Sequence, residues 1–193
     1  MARDTEINAC VDNSALVLRA GAPEDADCVG VLAMQVFLDT YATEGIRPDL
    51  AREVLAGYSP EAFRRRLAQA GSRFVLAERS GHLAGFAELA LDRSLPDARP
   101  AKGAELVRLY VQRPFHRQGV GTALLRRAEQ LAIGAGEATM WLTAWEGNQR
   151  ALDFWRRRGF EERGTTVHTM EARQYSNRIF TRRLTATNRT LPP

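Results

Sequence analysis

VRLYVQRPFHRQGVGT, the sequence of residues 107–122, predicts a strand that turns directly into a helix. The β-branched and aromatic residues at its start favour a strand, and residues 123–131 after it are rich in helix formers. Gly119 and Gly121 allow a tight turn between the two elements. Such a turn exposes free backbone N–H groups and the positive end of a helix dipole, so it predicts a binding site for an anion, phosphate above all. Three side chains in the turn add positive charge or the capacity for it, namely Arg113, His116 and Arg117.

Two familiar phosphate-binding motifs do not fit this turn. The dinucleotide fingerprint needs a third glycine three places after Gly121, where this chain has Leu124. A P-loop needs Gly-Lys followed by Ser or Thr, which the stretch lacks. The sequence therefore predicts neither a Rossmann nor a P-loop site.

The composition is that of an ordinary globular chain. Of 193 residues, 45% are apolar and 26% are charged, which is enough for one domain with a sizeable core. No run approaches the roughly 18 apolar residues that a membrane span needs. The two cysteines, Cys10 and Cys28, have no metal-ligand spacing, and we expect Cys28 in the core of the first helix. We therefore predict a cytoplasmic protein with no membrane partner and no metal site.

Arginine clusters give the chain its net charge of +4. They lie at 64–66, 126–127, 156–158 and 182–183. Such charge suits nucleic acid, or else solvated helix faces with one or two arginines directed at a phosphorylated small ligand. We favour the second interpretation and predict no nucleic-acid partner, because the chain has no zinc finger, no RNA-recognition aromatic signature and no lysine-rich tail.

Periodicity and turn residues predict the elements on either side of the central stretch. Before it we expect a strand at 15–19, a turn at 21–25 into a helix that ends near Thr40, helices at 49–56 and 59–69, a hairpin of strands at 73–78 and 83–91, and a loop at 94–103. After it we expect a helix ending at Gly134, a strand at 139–144, a helix at 149–158, and strand-like segments at 160–162, 165–170 and 179–184. The predicted fold class is α/β (α+β mixed) with a mixed sheet, in one domain over 15–184 between flexible ends at 1–14 and 185–193.

Two motifs of this chain resemble the signatures of the GNAT acetyltransferases. The first is Tyr110-Val111 followed by Gly119-Val120-Gly121 and Leu124-Leu125. The second contains Asn148, Ala151, Phe154-Trp155 and Gly159-Phe160. The specific motifs lie within 105–160, and the element order agrees over 15–184. The resemblance implies a mostly antiparallel sheet with splayed central parallel strands flanked by helices, and an acyl-CoA-dependent N-acetyltransferase that uses acetyl-CoA without a metal.

The resemblance also implies which residues bind the cofactor. Acyl-CoA enters the gap between the splayed strands, where the backbone of Leu109, Tyr110 and Val111 pairs with the pantetheine like an extra strand. Asn148 contacts the pantetheine arm, caps the following helix, or does both. The pyrophosphate is held by the turn and the helix start, which comprise His116, Arg117, Gln118, Gly119, Val120, Gly121 and Thr122. The second signature adds one aromatic residue to the cofactor site, Trp155.

The catalytic residues depart from the family's pattern. Trp155 stands where the family usually has a Tyr that acts as the general acid, and Thr143 stands where some branches have a Glu that acts as the general base. Glu105 is the first candidate for the base, since strand alternation predicts that it shares an apolar face with Val107, Leu109 and Val111. The alternative is that Glu105 lies at the start of the strand and meets solvent. Glu88 is the second candidate for the base. Tyr110 is a candidate acid, and a backbone N–H near Tyr110–Val111 is a candidate oxyanion donor.

Segments 37–41 and 145–148 are similar to those of the polyamine-acetylating branch of the family. Acidic side chains would attract such an acceptor, and the candidates are Asp39, Glu44, Glu88 and Glu146. We favour a small amine or polyamine as the acceptor, with a protein N-terminus or lysine as the alternative. A module that binds acyl-CoA without turnover is the competing function. Dimers are common among the proteins that this chain resembles, so a homodimer stays open.

Overall fold

The computed structural model describes residues 15–96, 102–171 and 173–185. The ends predicted to be flexible therefore lie outside the described residues, except for Thr185, and so does Cys10.

Seven strands form one sheet in the order β1-β2-β3-β4-β5-β7-β6. They are β1 (Leu16–Ala20), β2 (Ser72–Arg79), β3 (His82–Ser94), β4 (Lys102–Val111), β5 (Thr139–Trp145), β6 (Glu161–Met170) and β7 (Arg173–Arg183). Only β4 and β5 are parallel neighbours, and the other adjacent pairs run antiparallel. The predicted mixed, mostly antiparallel sheet is confirmed.

Helices cover both faces of this sheet. They are α1 (Ala26–Tyr41), α2 (Pro48–Gly57), α3 (Pro60–Ala68), α4 (Val120–Gly134) and α5 (Gln149–Arg157). The sheet separates two cores, and side chains of β3 point into both of them. Ala87 and Leu89 pack with α4 and α5, whereas Phe86 packs with α1, α2 and α3. No helix in the described ranges is long and apolar enough to cross a membrane.

Short-range signals explain where several helices begin and end. The Ser59 hydroxyl accepts a hydrogen bond from the Ala62 N–H at 3.2 Å, and Pro60 occupies the first turn of α3. Asn148 caps α5 in the same way, with 3.1 Å between its Oδ1 and the Ala151 nitrogen. These starts agree with the sequence prediction because each depends on residues close together in the chain.

Some predicted boundaries are wrong. The loop expected at 94–103 is shorter, because β3 continues to Ser94 and β4 begins at Lys102. The two strand-like segments at 160–162 and 165–170 form the single strand β6, and β7 begins well before position 179. β6 is polar and largely exposed, and residues 173–178 of β7 contain no buried position, so these segments lack the apolar alternation used to recognise strands. Cys28 is also exposed rather than in the core.

The parallel strands β4 and β5 pair at two positions and then part. Ala104 lies opposite Met140 and Glu105 lies opposite Trp141. Gly103 permits the close approach just before these pairs, because a Cβ there would lie 2.5 Å from the Thr139 carbonyl oxygen. The two strands, which the structure describes in full, pair nowhere else, so a gap opens toward Val111 and Trp145. The predicted splay is confirmed.

Candidate active site

The gap is bordered by β4 with α4 on one side and by β5 with α5 on the other. Leu109 and Val111 pack toward the core of α4 and α5, while Tyr110 packs on the opposite face of the sheet. The backbone of this segment pairs with β3 along one edge, with Tyr110 opposite Phe86. Its other edge faces the gap, where an extended ligand can find unpaired backbone groups.

The turn from β4 into α4 has the conformation that an anion site requires. Arg117 has a φ of 61° and Gly119 a φ of 83°, and α4 begins immediately afterwards at Val120. A Cβ at Gly119 would meet nothing within 4 Å, so this side of the turn is open. The first N–H groups of α4 have no partner within the helix. The turn thus offers backbone donors and a helix dipole to an incoming phosphate.

His116 connects this turn to both walls of the gap. One ring nitrogen, Nε2, lies 2.8 Å from the Val111 carbonyl oxygen, and the other, Nδ1, lies 2.9 Å from Nη1 of Arg150 in α5. A guanidinium can only donate, so Nδ1 must accept. Nε2 therefore donates the hydrogen bond to the Val111 carbonyl oxygen.

Other side chains of the turn are braced in a similar way. Arg158 donates to the Thr122 hydroxyl at 2.6 Å while its guanidinium lies 5.3 Å from the centre of the Phe154 ring. Gln118 accepts from Arg79 and donates to the Pro114 carbonyl at 2.7 Å. The side chains of Gln118 and Thr122 are thereby occupied, which leaves the backbone as the main donor from these two residues.

The second signature divides into a cap and a core residue. Asn148 acts as the cap of α5, which bears out one of its two predicted roles. Trp155 is only 7% exposed and packs edge-on against Phe154 and Phe160, with ring centres 4.9 and 5.4 Å away. This packing accounts for an indole at position 155. The cofactor contacts predicted for Asn148 and Trp155 stay predictions.

A β-bulge in β4 changes which side chains share a face. Arg108 lies opposite Glu88 in β3, but Leu106 lies opposite the next residue, Leu89, so Val107 is the extra residue. Leu106 and Leu109 consequently point into the same core with α4. The prediction that Glu105 shares a face with Val107, Leu109 and Val111 is therefore wrong, because alternation holds only along an uninterrupted ladder.

Glu105 instead lies on the face that also carries Arg108 and Tyr110. It sits within the strand, at the last position where β4 pairs with β5, and its side chain is 22% exposed. Burial raises the pKa of the Glu105 carboxyl above its ordinary value, and the guanidinium of Arg93 at 3.5 Å opposes that shift only in part. A half-buried carboxyl with a raised pKa at the opening of the gap suits a general base.

Glu88 is committed to a buried ion pair. Its carboxylate lies 2.5 Å from Nη1 of Arg108, and the two side chains are 6% and 13% exposed. Burial disfavours the charge of Arg108, but Glu88 together with Tyr58 and Tyr110 outweighs that effect, so the pKa of Arg108 is raised. The guanidinium also lies over the rings of Tyr58 and Phe63, at 5.0 and 5.7 Å. These contacts make Glu88 a weaker candidate for the base than Glu105.

Tyr110 has a buried hydroxyl that lies 3.5 Å from the hydroxyl of Tyr58. Burial raises the pKa of the Tyr110 phenol well above its ordinary value of 10.0. The group therefore stays protonated at neutral pH and releases its proton with difficulty. Its assignment as the acid stays a prediction.

Aromatic rings form a surface at the end of β5, which we call the aromatic wall. It consists of Tyr41, Trp145 and Tyr175, whose ring centres are 5.1 to 6.0 Å apart. Arg47 donates to the Tyr175 hydroxyl at 2.9 Å. Arg47 and Tyr175 were not predicted from the sequence, because they are far apart in the chain and belong to no motif.

Two of the four acids predicted to attract an acceptor are paired with arginines. Glu88 pairs with Arg108, and Glu146 lies 3.3 Å from Arg178. Asp39 and Glu44 are exposed. In the described part of the chain, no group of three or more His, Cys, Asp or Glu side chains is arranged to hold a metal ion.

The sequence matches the model of the acetyltransferase (GNAT) family over residues 37–160, which is more than half of the chain. It is 26% identical to an uncharacterized N-acetyltransferase from the pepI 3′ region of Lactobacillus delbrueckii subsp. lactis, over 66% of this chain and 74% of the relative. It is also 26% identical to an uncharacterized N-acetyltransferase of Mycobacterium tuberculosis, over 83% of this chain and 98% of the relative.

Solved structures share the fold. A PaiA N-acetyltransferase from Thermoplasma acidophilum, solved in complex with coenzyme A, superposes with a TM-score of 0.68 at 20% sequence identity. The match covers 88% of this chain and 99% of the other. The arrangement of the seven-stranded sheet and its helices is therefore that of a known family of structures.

The buried pair of Glu88 and Arg108 gives a first testable prediction. Arg108→Met leaves a buried carboxylate without its partner, and we expect the free energy of unfolding to fall by about 3–5 kcal/mol. Urea denaturation measures this loss. The control is Arg65→Met, which breaks an exposed pair with Glu61 and should cost less than about 1 kcal/mol. Equal losses of unfolding free energy in the two variants would contradict the assignment of a buried ion pair. The double variant Glu88→Leu with Arg108→Met should recover stability, and a failure to do so would contradict the assignment as well.

Proposed function

This chain belongs to the GNAT family of acetyltransferases and is an acyl-CoA-dependent N-acetyltransferase, and we propose that it transfers acetyl from acetyl-CoA directly to a primary amine of a small molecule. One observation carries this proposal: β4 and β5 part after two residue pairs, beside a glycine turn that opens a helix. The gap suits the narrow pantetheine arm, and the turn suits the pyrophosphate. The coenzyme A complex of the Thermoplasma relative supports the same choice of cofactor.

In this proposal the cofactor is bound mainly by backbone. The free edge of Leu109, Tyr110 and Val111 pairs with the pantetheine amides as an added strand. The first N–H groups of α4, together with the turn at Arg117 and Gly119, hold the pyrophosphate. These contacts place the thioester between the diverging strands, close to Glu105.

The reaction is a direct displacement. The amine nitrogen attacks the thioester carbonyl carbon, the C–S bond breaks, and the thiolate of coenzyme A leaves. Glu105 accepts the proton that the attacking amine releases. A backbone N–H near Tyr110–Val111 stabilises the oxygen as negative charge develops on it. The thiolate takes up a proton from solvent or from Tyr110, whose raised pKa makes it the slower donor.

The aromatic wall favours a small amine over a polyamine as the acceptor, because a polyamine site would need many free acidic side chains. The faces of Tyr41, Trp145 and Tyr175 attract an ammonium group through cation–π interaction. Two of the four predicted acids, Glu88 and Glu146, are already paired with arginines. We therefore propose an acceptor with one amine and an apolar body, and polyamines are the alternative acceptor.

The decisive experiment combines acetyl-CoA with a panel of amines. We expect amine-dependent release of free thiol, with small aromatic or aliphatic amines ahead of spermidine, and only background release without amine. A peptide with a free N-terminus and one with an internal lysine test the alternative acceptors. Tight binding of acetyl-CoA with no thiol release for any amine would contradict the proposal and favour a sensor that binds acyl-CoA without turnover. The absence of Tyr at position 155 and of Glu at position 143 is the sequence feature that favours this alternative.

Gly119→Glu tests the cofactor site. The new carboxylate enters the open side of the turn, where the pyrophosphate is proposed to lie, and we expect acetyl-CoA binding to fall below detection in calorimetry. The matched control is Gly136→Glu at the far end of α4, which has a φ of 86° and equally open surroundings. It introduces the same charge and the same backbone strain away from the turn. Similar loss in both variants would overturn the assignment of the site.

Glu105→Gln tests the base. A carboxylate accepts a proton only when it is ionised, so activity should rise with pH through the pKa of Glu105, which burial raises. The variant should lose this acidic limb and about 100-fold or more in kcat, with little change in affinity for acetyl-CoA. Glu24→Gln at an exposed position is the control. A variant with an unaltered pH–rate profile would exclude Glu105 as the base.

A further inference from the structure

Arg150 is an exposed cation in the first turn of α5, and it is held close to the phosphate-binding turn. Its guanidinium donates one hydrogen bond, to His116. Among the described residues Arg150 forms no ion pair, whereas two arginines that follow it in the chain are engaged. Arg156 pairs with Asp153 and Glu162, and Arg158 donates to Thr122.

The contact with His116 fixes where this cation points. His116 lies in the turn that precedes α4, while Arg150 belongs to α5 on the other wall of the gap. His116 is itself held by the Val111 carbonyl at 2.8 Å, so the chain of hydrogen bonds runs from β4 through the imidazole to α5. The guanidinium is thus one hydrogen bond away from the residues whose backbone N–H groups face an incoming phosphate.

The chemistry of the two side chains allows ligand binding without breaking this arrangement. A guanidinium has five N–H groups, and the contact with His116 uses one of them. The remaining donors can form a bidentate contact with a phosphate group. A carbonyl oxygen has two lone pairs, so Val111 can bond His116 and still accept a bond from an added strand.

We propose that Arg150 is a cofactor-binding cation, positioned by His116, that binds a phosphate group of acetyl-CoA from the α5 wall while the turn and α4 bind the pyrophosphate from the other wall. This inference rests on the proposed use of acetyl-CoA. The phosphate is either the pyrophosphate or the 3′-phosphate of the cofactor, which share the chemistry that Arg150 recognises.

Binding of three ligands to two variants separates these sources. Arg150→Gln removes the cation, and Arg157→Gln removes an exposed arginine from the same helix as the matched control. Calorimetry with acetyl-CoA, 3′-dephospho-acetyl-CoA and acetyl-pantetheine compares a cofactor with both phosphate sites, one and none. We expect Arg150→Gln to weaken acetyl-CoA binding about tenfold or more, and Arg157→Gln to have little effect.

The three ligands then assign the contact. If Arg150→Gln also loses affinity for the 3′-dephospho ligand, Arg150 contacts the pyrophosphate. If the loss of affinity disappears with that ligand, Arg150 contacts the 3′-phosphate. An equal loss with acetyl-pantetheine would overturn the inference, because that ligand has no phosphate. Equal affinities of the two variants for acetyl-CoA would also overturn it. Failure of the unmodified protein to bind acetyl-CoA would instead overturn the proposed function itself.

A double-mutant cycle tests the positioning role of His116. His116→Leu removes both hydrogen bonds of the ring, so Arg150→Gln should cost less in that background than in the unmodified protein. His116→Asn offers one donor and one acceptor, and it should restore part of the coupling. Additive effects on acetyl-CoA affinity would exclude His116 as the residue that positions Arg150. Thermal unfolding of each variant checks that the fold is retained.

Discussion

The parting of β4 and β5 is the constraint on which the rest of the site depends. Each of these strands pairs along most of its length with its outer neighbour, β4 with β3 and β5 with β7, so the sheet survives the loss of pairing between them. The price is a row of backbone groups along the gap that no strand satisfies. Because such groups favour any extended ligand that can pair with them, the same feature that interrupts the sheet provides its binding edge. The close approach at Gly103 sets where the gap begins.

The sequence predicted what depends on neighbours in the chain. The cap of α3 at Ser59, the cap of α5 at Asn148 and the turn at Gly119 are each decided within a few residues, and all three are confirmed. The splay itself came from the resemblance to a family, because no periodicity states how long two distant strands stay paired. The β6 and β7 hairpin was incompletely predicted for a related reason, since β6 is largely exposed and residues 173–178 of β7 contain no buried position, so neither segment shows an apolar period.

The bulge at Val107 shows how one residue can redirect a functional side chain. An unbroken strand would have placed Glu105 with Leu109 against α4, and the extra residue moves it to the face of Arg108 and Tyr110. Nothing in the local sequence marks the bulge, since Val107 is neither glycine nor a turn former. Glu105 remains the first candidate for the base, but for a different reason from the one that selected it. The reason is now its position at the opening of the gap and its partial burial, rather than an apolar strand face.

Charge on the acceptor side shows a second limit of sequence reasoning. The resemblance to the polyamine-acetylating branch led to four acids as candidates for attracting a polycation, yet two of the four have arginine partners on other strands. Arg108 neutralises Glu88 from β4, and Arg178 neutralises Glu146 from β7. A paired carboxylate contributes little field to an incoming ammonium group, whereas an aromatic face attracts it without needing a free charge. In the proposed site, recognition of the amine therefore falls to Tyr41, Trp145 and Tyr175, whose rings meet because α1, β5 and β7 converge at the end of β5.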